Sequence, residues 1–140
     1  MKNAICTAVG IVGSLIASAL GGWTASLTTL IIFMGIDYAS GVIVAGVFHQ
    51  SPKTATGTLE SRTGFKGLIR KGAILMAVWI GYRLDLTVGT TYIRDAVCIA
   101  FVANELLSIV ENFGLMGIRL PPAITNAIDI LKQKAETKND

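Results

Sequence analysis

Residues 3–36 read NAICTAVGIVGSLIASALGGWTASLTTLIIFMGI, and no Asp, Glu, Lys, Arg or His occurs among them. As one straight helix this stretch would run about 51 Å, against a bilayer hydrocarbon core of about 30 Å. Gly21-Gly22-Trp23-Thr24 supplies a break, two permissive residues followed by an aromatic suited to the membrane interface. The run therefore divides into a first span near 4–20 and a second near 25–48, which passes through Asp37 and ends before His49-Gln50-Ser51-Pro52.

Composition points the same way. Only 15% of the 140 residues are charged and 52% are hydrophobic, against roughly 25% charged in a soluble domain. A soluble chain of this size buries only about two-thirds of its surface and needs more polar cover. The expected fold is an all-α integral membrane protein of three to four transmembrane helices, four preferred.

The net charge of +3 does not make a nucleic-acid binder, because five of the twelve basic residues fall between Lys53 and Lys71, flanked by apolar runs. That is the pattern of a cytoplasmic loop, 49–71, from which both termini of a four-span chain would also be cytoplasmic. A third span is expected near 65–82, with Lys66, Arg70 and Lys71 anchoring its cytoplasmic end by snorkelling. Arg83 through Asp95 reads as a short connection of mixed charge, and a fourth span as 96–115. Residues 1–120 form the transmembrane domain. The tail, 121–140, reads as a short amphipathic helix at the membrane surface or against the loop, with Ile124, Ala127, Ile128 and Leu131 on one face. Lys2 and Ala17-Ser18-Ala19 resemble a signal peptide with its cleavage site, but the positive region is one residue and a second apolar span follows at once.

Asp37 costs about 2.5–3.5 kcal/mol at the centre of a span, and the eleven Leu, Ile, Val and Phe residues of 25–48 return about 3–7 kcal/mol. Such a residue faces a lumen or a partner helix, or packs by hydrogen bonding to a neighbour. In the fourth span Asn104, Ser108 and Glu111, with Glu105 and Asn112 beside them, form a polar stripe that needs partners or water. Gly10, Ser14, Ser18 and Gly22 recur every four residues, as do Gly13, Ala17 and Gly21, and Gly41 and Ala45 repeat the spacing. These faces allow close helix packing within the chain or between copies. Cys6 and Cys98 lie in apolar runs and read as free thiols. No motif for nucleotide, metal or nucleophilic chemistry is present, so no enzyme, cofactor or metal is expected.

Asp37-x3-Gly41-x3-Ala45, then Ser61-x2-Gly64-x2-Gly67-x2-Arg70-Lys71, then Asn104-Glu105-x2-Ser108-Ile109-x-Glu111-Asn112 and Gly117-x3-Pro121-Pro122, resemble the phage lysis and toxin-secretion holin family. The resemblance covers roughly residues 25–135; Ile118-Arg119-Leu120 departs from its shorter Gly-Leu-Pro type of turn. It implies a phage- or prophage-encoded protein of the bacterial cytoplasmic membrane. Such a protein oligomerises with itself and opens lesions that let an endolysin or a large toxin reach the wall. On that resemblance, Asp37 and the Asn104, Glu105, Ser108, Glu111, Asn112 stripe would form the lumen or the seam between subunits. An antiholin or scaffold restraining a holin would have nearly the same sequence. A small channel or transporter subunit, using the intramembrane carboxylates as a proton relay, is the third reading.

Overall fold

A computed structural model describes residues 1–137 as five helices: α1 (Lys2–Ala19), α2 (Ala25–Gly46), α3 (Ser61–Val88), α4 (Ile93–Leu115) and α5 (Pro122–Thr137). Residues 138–140, the end of the expected tail, lie outside the described residues. α1 and α2, of 18 and 22 residues, are long and apolar enough to cross a membrane, with mean hydropathies of 1.4 and 1.8 over an 18-residue window. The break between them falls at Gly21 and Gly22, both left-handed at φ 100° and 89°. Thr24 then caps α2, its hydroxyl accepting from the Leu27 amide.

α4 is the centre of the bundle, packing against α2, α3 and α5. The buried positions follow heptads, the seam of left-handed helix packing. On α2 the seam is Leu27, Leu30, Met34, Asp37 and Val44; on α4 it is Cys98, Val102, Glu105, Ile109 and Asn112. Leu20, Leu27, Leu30, Met34, Val78, Cys98 and Val102 form the apolar core, with Leu27, Leu30, Val78 and Cys98 fully buried. On α3 the spacing continues as Gly64, Gly67, Lys71, Ile74, Val78, Gly81 and Asp85. Glycine eases close approaches here: a Cβ at Gly81 would sit 3.1 Å from the Arg94 Cα, a backbone atom, and one at Gly64 3.3 Å from the Tyr38 hydroxyl, the end of a side chain that can shift.

Three expectations need correction. α3 does not end at Tyr82 but runs to Val88, where Gly89 closes it in the left-handed conformation. The supposed connection Arg83–Asp95 is therefore helix at both ends, with only 89–92 between. Its charges belong to helix ends: the Asp85 carboxylate accepts from the Ile93 and Arg94 amides, at 2.9 and 3.0 Å, and caps α4. The second correction is to the basic loop expected at 49–71: Arg62, Lys66, Arg70 and Lys71 lie on α3, and the loop itself is short, 47–60. It is folded on itself, the Ser51 amide bonding the Gly57 carbonyl oxygen.

α1 stands apart from the bundle. Nearly all of it is exposed, and it meets the bundle only at its C-terminal end, through Ala17 and Leu20. The third correction concerns the tail. α5 neither lies apart nor packs on the loop; it turns back along α4 after Gly117, a left-handed residue at φ 82°, and Pro122, favoured at a helix start. Ile128 is buried and Leu131 packs on the core, while Asn126, Asp129, Lys132 and Glu136 are exposed.

Candidate functional site

Because Asp37, Lys71 and Glu105 each occupy a seam position, three charged side chains are driven into the middle of the bundle. The Lys71 ammonium donates to Asp37 Oδ2 and to Glu105 Oε2, both at 2.9 Å. Asp37 and Glu105 are buried, at 7% and 6% exposure, and the Lys71 side chain is 15% exposed. Two turns along α4 from Glu105, Asn112 completes the network. Its amide nitrogen lies 3.1 Å from Asp37 Oδ1, 3.2 Å from the Asp37 carbonyl oxygen and 2.9 Å from Ser40 Oγ. Ser40 in turn donates to the Asp37 carbonyl oxygen. Gly41 lies beside this contact, where a Cβ would stand 3.7 Å from the Asn112 amide, an ordinary packing distance. One ammonium shared by two carboxylates joins α2, α3 and α4 and leaves a formal charge of −1.

The cluster forms the inner wall of a cleft of about 530 Å³, which also reaches Asn104, Ser108, Lys66, Arg70 and the 51–54 turn. The polar stripe read from the sequence thus divides. Glu105 and Asn112 point into the bundle, half-buried Ser108 and exposed Asn104 line the cleft, and exposed Glu111 does not line it. Among the anchor residues, Lys66 and Arg70 are exposed as expected. Lys71 does not snorkel outward; it shares the packed face of α3 with Gly67 and Ile74 and turns inward. The arrangement can hold three helices in register around a polar opening.

The expected packing residues also divide. Ala17 and Ala45 are buried, and Gly21 is tightly enclosed, a Cβ there meeting Tyr82 and the Arg94 guanidinium within 2.8 Å. Gly10, Gly13 and Gly22 have nothing within 4 Å of a Cβ position, and Ser14 and Ser18 are exposed. A second polar centre at the other end of the bundle escaped the sequence reading. Arg94 Nη1 donates to the carbonyl oxygens of Leu20 and Gly22, at 2.9 and 3.0 Å, tying the end of α1 to the start of α4. Asp95, 3.5 Å from the guanidinium, accepts from Ser26. The readable signal was the conjunction of an Arg at the first turn of an apolar helix with carbonyls freed by the Gly21-Gly22 break.

These features define a class: a small, all-helical membrane protein whose helices enclose a charge cluster and a polar cleft. Residues 14–133 match the model of the bacteriophage holin family, and the chain belongs to that family. It is 41% identical to an uncharacterized protein of Listeria monocytogenes over 79% of this chain and 76% of the other. An uncharacterized protein of Halalkalibacterium halodurans is 34% identical over 94% and 96% of the two chains. A protein of Bacillus phage phi105 named "Probable holin" is 26% identical over 81% and 79%. No solved structure matches the chain.

Proposed function

We propose that this chain acts as a holin: in the bacterial cytoplasmic membrane it assembles with copies of itself and opens lesions that release an endolysin or a large toxin. In this reading α1 to α4 cross the membrane, with the N-terminus, the 47–60 loop and the start of α5 on the cytoplasmic side. The observation that carries it is the placement of α5. If α4 crosses the bilayer, α5 runs beside it for about 24 Å from the cytoplasmic side. Its exposed face then holds Asp129, Lys132, Lys134 and Glu136 at hydrocarbon depth. Side chains such as Asp and Lys cost about 2.5–3.5 kcal/mol each at the bilayer centre, so lipid is a poor neighbour for that face and an aqueous passage a good one.

Family membership and the open faces of α1 support assembly. Gly10, Gly13, Ser14 and Ser18 find no partner helix within the chain, and helix association in lipid depends on such close packing rather than on a hydrophobic driving force. Asp37, Glu105 and Asn112 then act within each subunit, while Asn104, Ser108 and Glu111 remain available to the lumen or the seam. The test is inducible expression in a bacterium with and without an endolysin lacking an export signal, following turbidity and membrane potential together. Abrupt depolarisation, with clearing only when the endolysin is present, is expected. Steady growth despite confirmed insertion would sink the lesion reading and turn attention to a restraining partner.

A further inference from the structure

Where the cleft leaves the bundle its wall changes sign. The inner end is the Asp37–Lys71–Glu105 cluster, formally −1, whereas the mouth is lined by Lys53, Lys66 and Arg70, all exposed. None of these three makes an ion pair among the described residues, where the ion pairs are those of Lys71 and Arg94. The acid at the mouth is Glu60, which accepts from Thr63, so the mouth carries a formal +2. The same cleft is lined by Thr54, whose hydroxyl oxygen is buried without a hydrogen-bond partner. Buried hydroxyls are nearly always paired, and this unpaired one belongs to a residue that lines the cationic cleft.

We propose that the cleft mouth binds a phosphate group, held by Lys66 and Arg70 from α3 and by Lys53 and the Thr54 hydroxyl from the 47–60 loop. Arg70 suits two phosphate oxygens at once, the lysines add point charge, and the threonine donates the bond it otherwise lacks. A cationic pocket between helices near the cytoplasmic surface is the usual setting for anionic lipid headgroups. A soluble phosphate compound offers the same chemistry. Occupancy would tie the loop to α3 and fix the opening of the cleft. The proposal uses the cleft described above but does not require that the chain opens lesions.

The test uses the full chain purified in detergent micelles. Thermal stability and saturable binding are followed as phosphatidylglycerol, phosphatidylcholine or inorganic phosphate is added. Phosphatidylglycerol is expected to raise Tm where phosphatidylcholine does not. K66Q/R70Q should weaken its apparent affinity roughly thirtyfold, at about a tenfold or less per cation removed. Both side chains are exposed, so this variant should fold; T54V, nearly isosteric, should weaken binding several-fold. K132Q/K134Q removes equal charge from α5 and should leave binding unchanged. A response to inorganic phosphate alone, lost in K66Q/R70Q, identifies a soluble ligand for the same site. Equal response to both lipids, no response at all, or a response preserved in K66Q/R70Q overturns the proposal.

Discussion

At the scale of the residue, Lys71 decides most. Its ammonium satisfies two carboxylates at 2.9 Å each, and removing one partner of a buried ion pair strands charge at a cost of about 3–5 kcal/mol. Lys71→Met should therefore lower the unfolding free energy in detergent by about that amount, read from denaturant-induced loss of helical signal. Adding Asp37→Asn and Glu105→Gln should restore most of it, because the stranded charges then disappear. If the triple variant were no more stable than Lys71→Met, desolvated charge would be the wrong explanation. Asn112→Leu should cost less, about 0.6–2 kcal/mol, the range of interhelical hydrogen bonds in membranes. The charged cluster, not the amide, is the stronger tie.

At the scale of the element, glycine positions separate packing inside the subunit from surfaces left open. Gly21 is left-handed and pressed against Tyr82 and Arg94, so Gly21→Ala should loosen α1 from the bundle and speed proteolysis in the 20–24 turn. Gly10→Leu, in open space, should leave subunit stability within about 0.5 kcal/mol and reduce oligomers trapped by cross-linking in membranes. An unchanged oligomer ladder would remove α1 from the assembly surface. α1 and α2 were readable because absence of charge over 3–36 and the Gly-Gly break are local signals. The end of α3 was not, because Arg83 and Asp85 resemble a loop until Asp85 is seen capping a different helix. The α4 stripe was read as one face of five residues, Glu105 and Asn112 included, and the structure divides it. Asn104, Ser108 and Glu111 are conspicuous as a polar face, yet the heptad through Cys98, Val102 and Ile109 selects Glu105 and Asn112 for burial. Lys71 was missed for a similar reason. Its neighbour Arg70 suggested an exposed pair, although a step of one residue turns a helix by about 100° and only Lys71 shares the face of Gly64 and Gly67.

At the scale of the whole molecule, two faces are left open by the subunit: the charged outer side of α5, which suits lipid poorly, and the small-residue side of α1. Sequence pattern gave the amphipathicity of α5 but not its partner, since the same apolar face could rest on a membrane surface as well as on α4. Replacing Asp129, Lys132, Lys134 and Glu136 together by Leu keeps the buried Ile128 side and removes the charge of the outer side. Insertion should survive and lesion formation should fall at least tenfold in rate, measured as release from vesicles. Full activity in this variant would place α5 away from water. The most direct measurement of the whole account is reconstitution of the purified chain in vesicles loaded with both a small dye and a folded, endolysin-sized protein. The account expects both cargoes to escape above a threshold of chain per vesicle. Escape of ions or dye while the protein stays inside, or retention of both despite confirmed insertion, would contradict it.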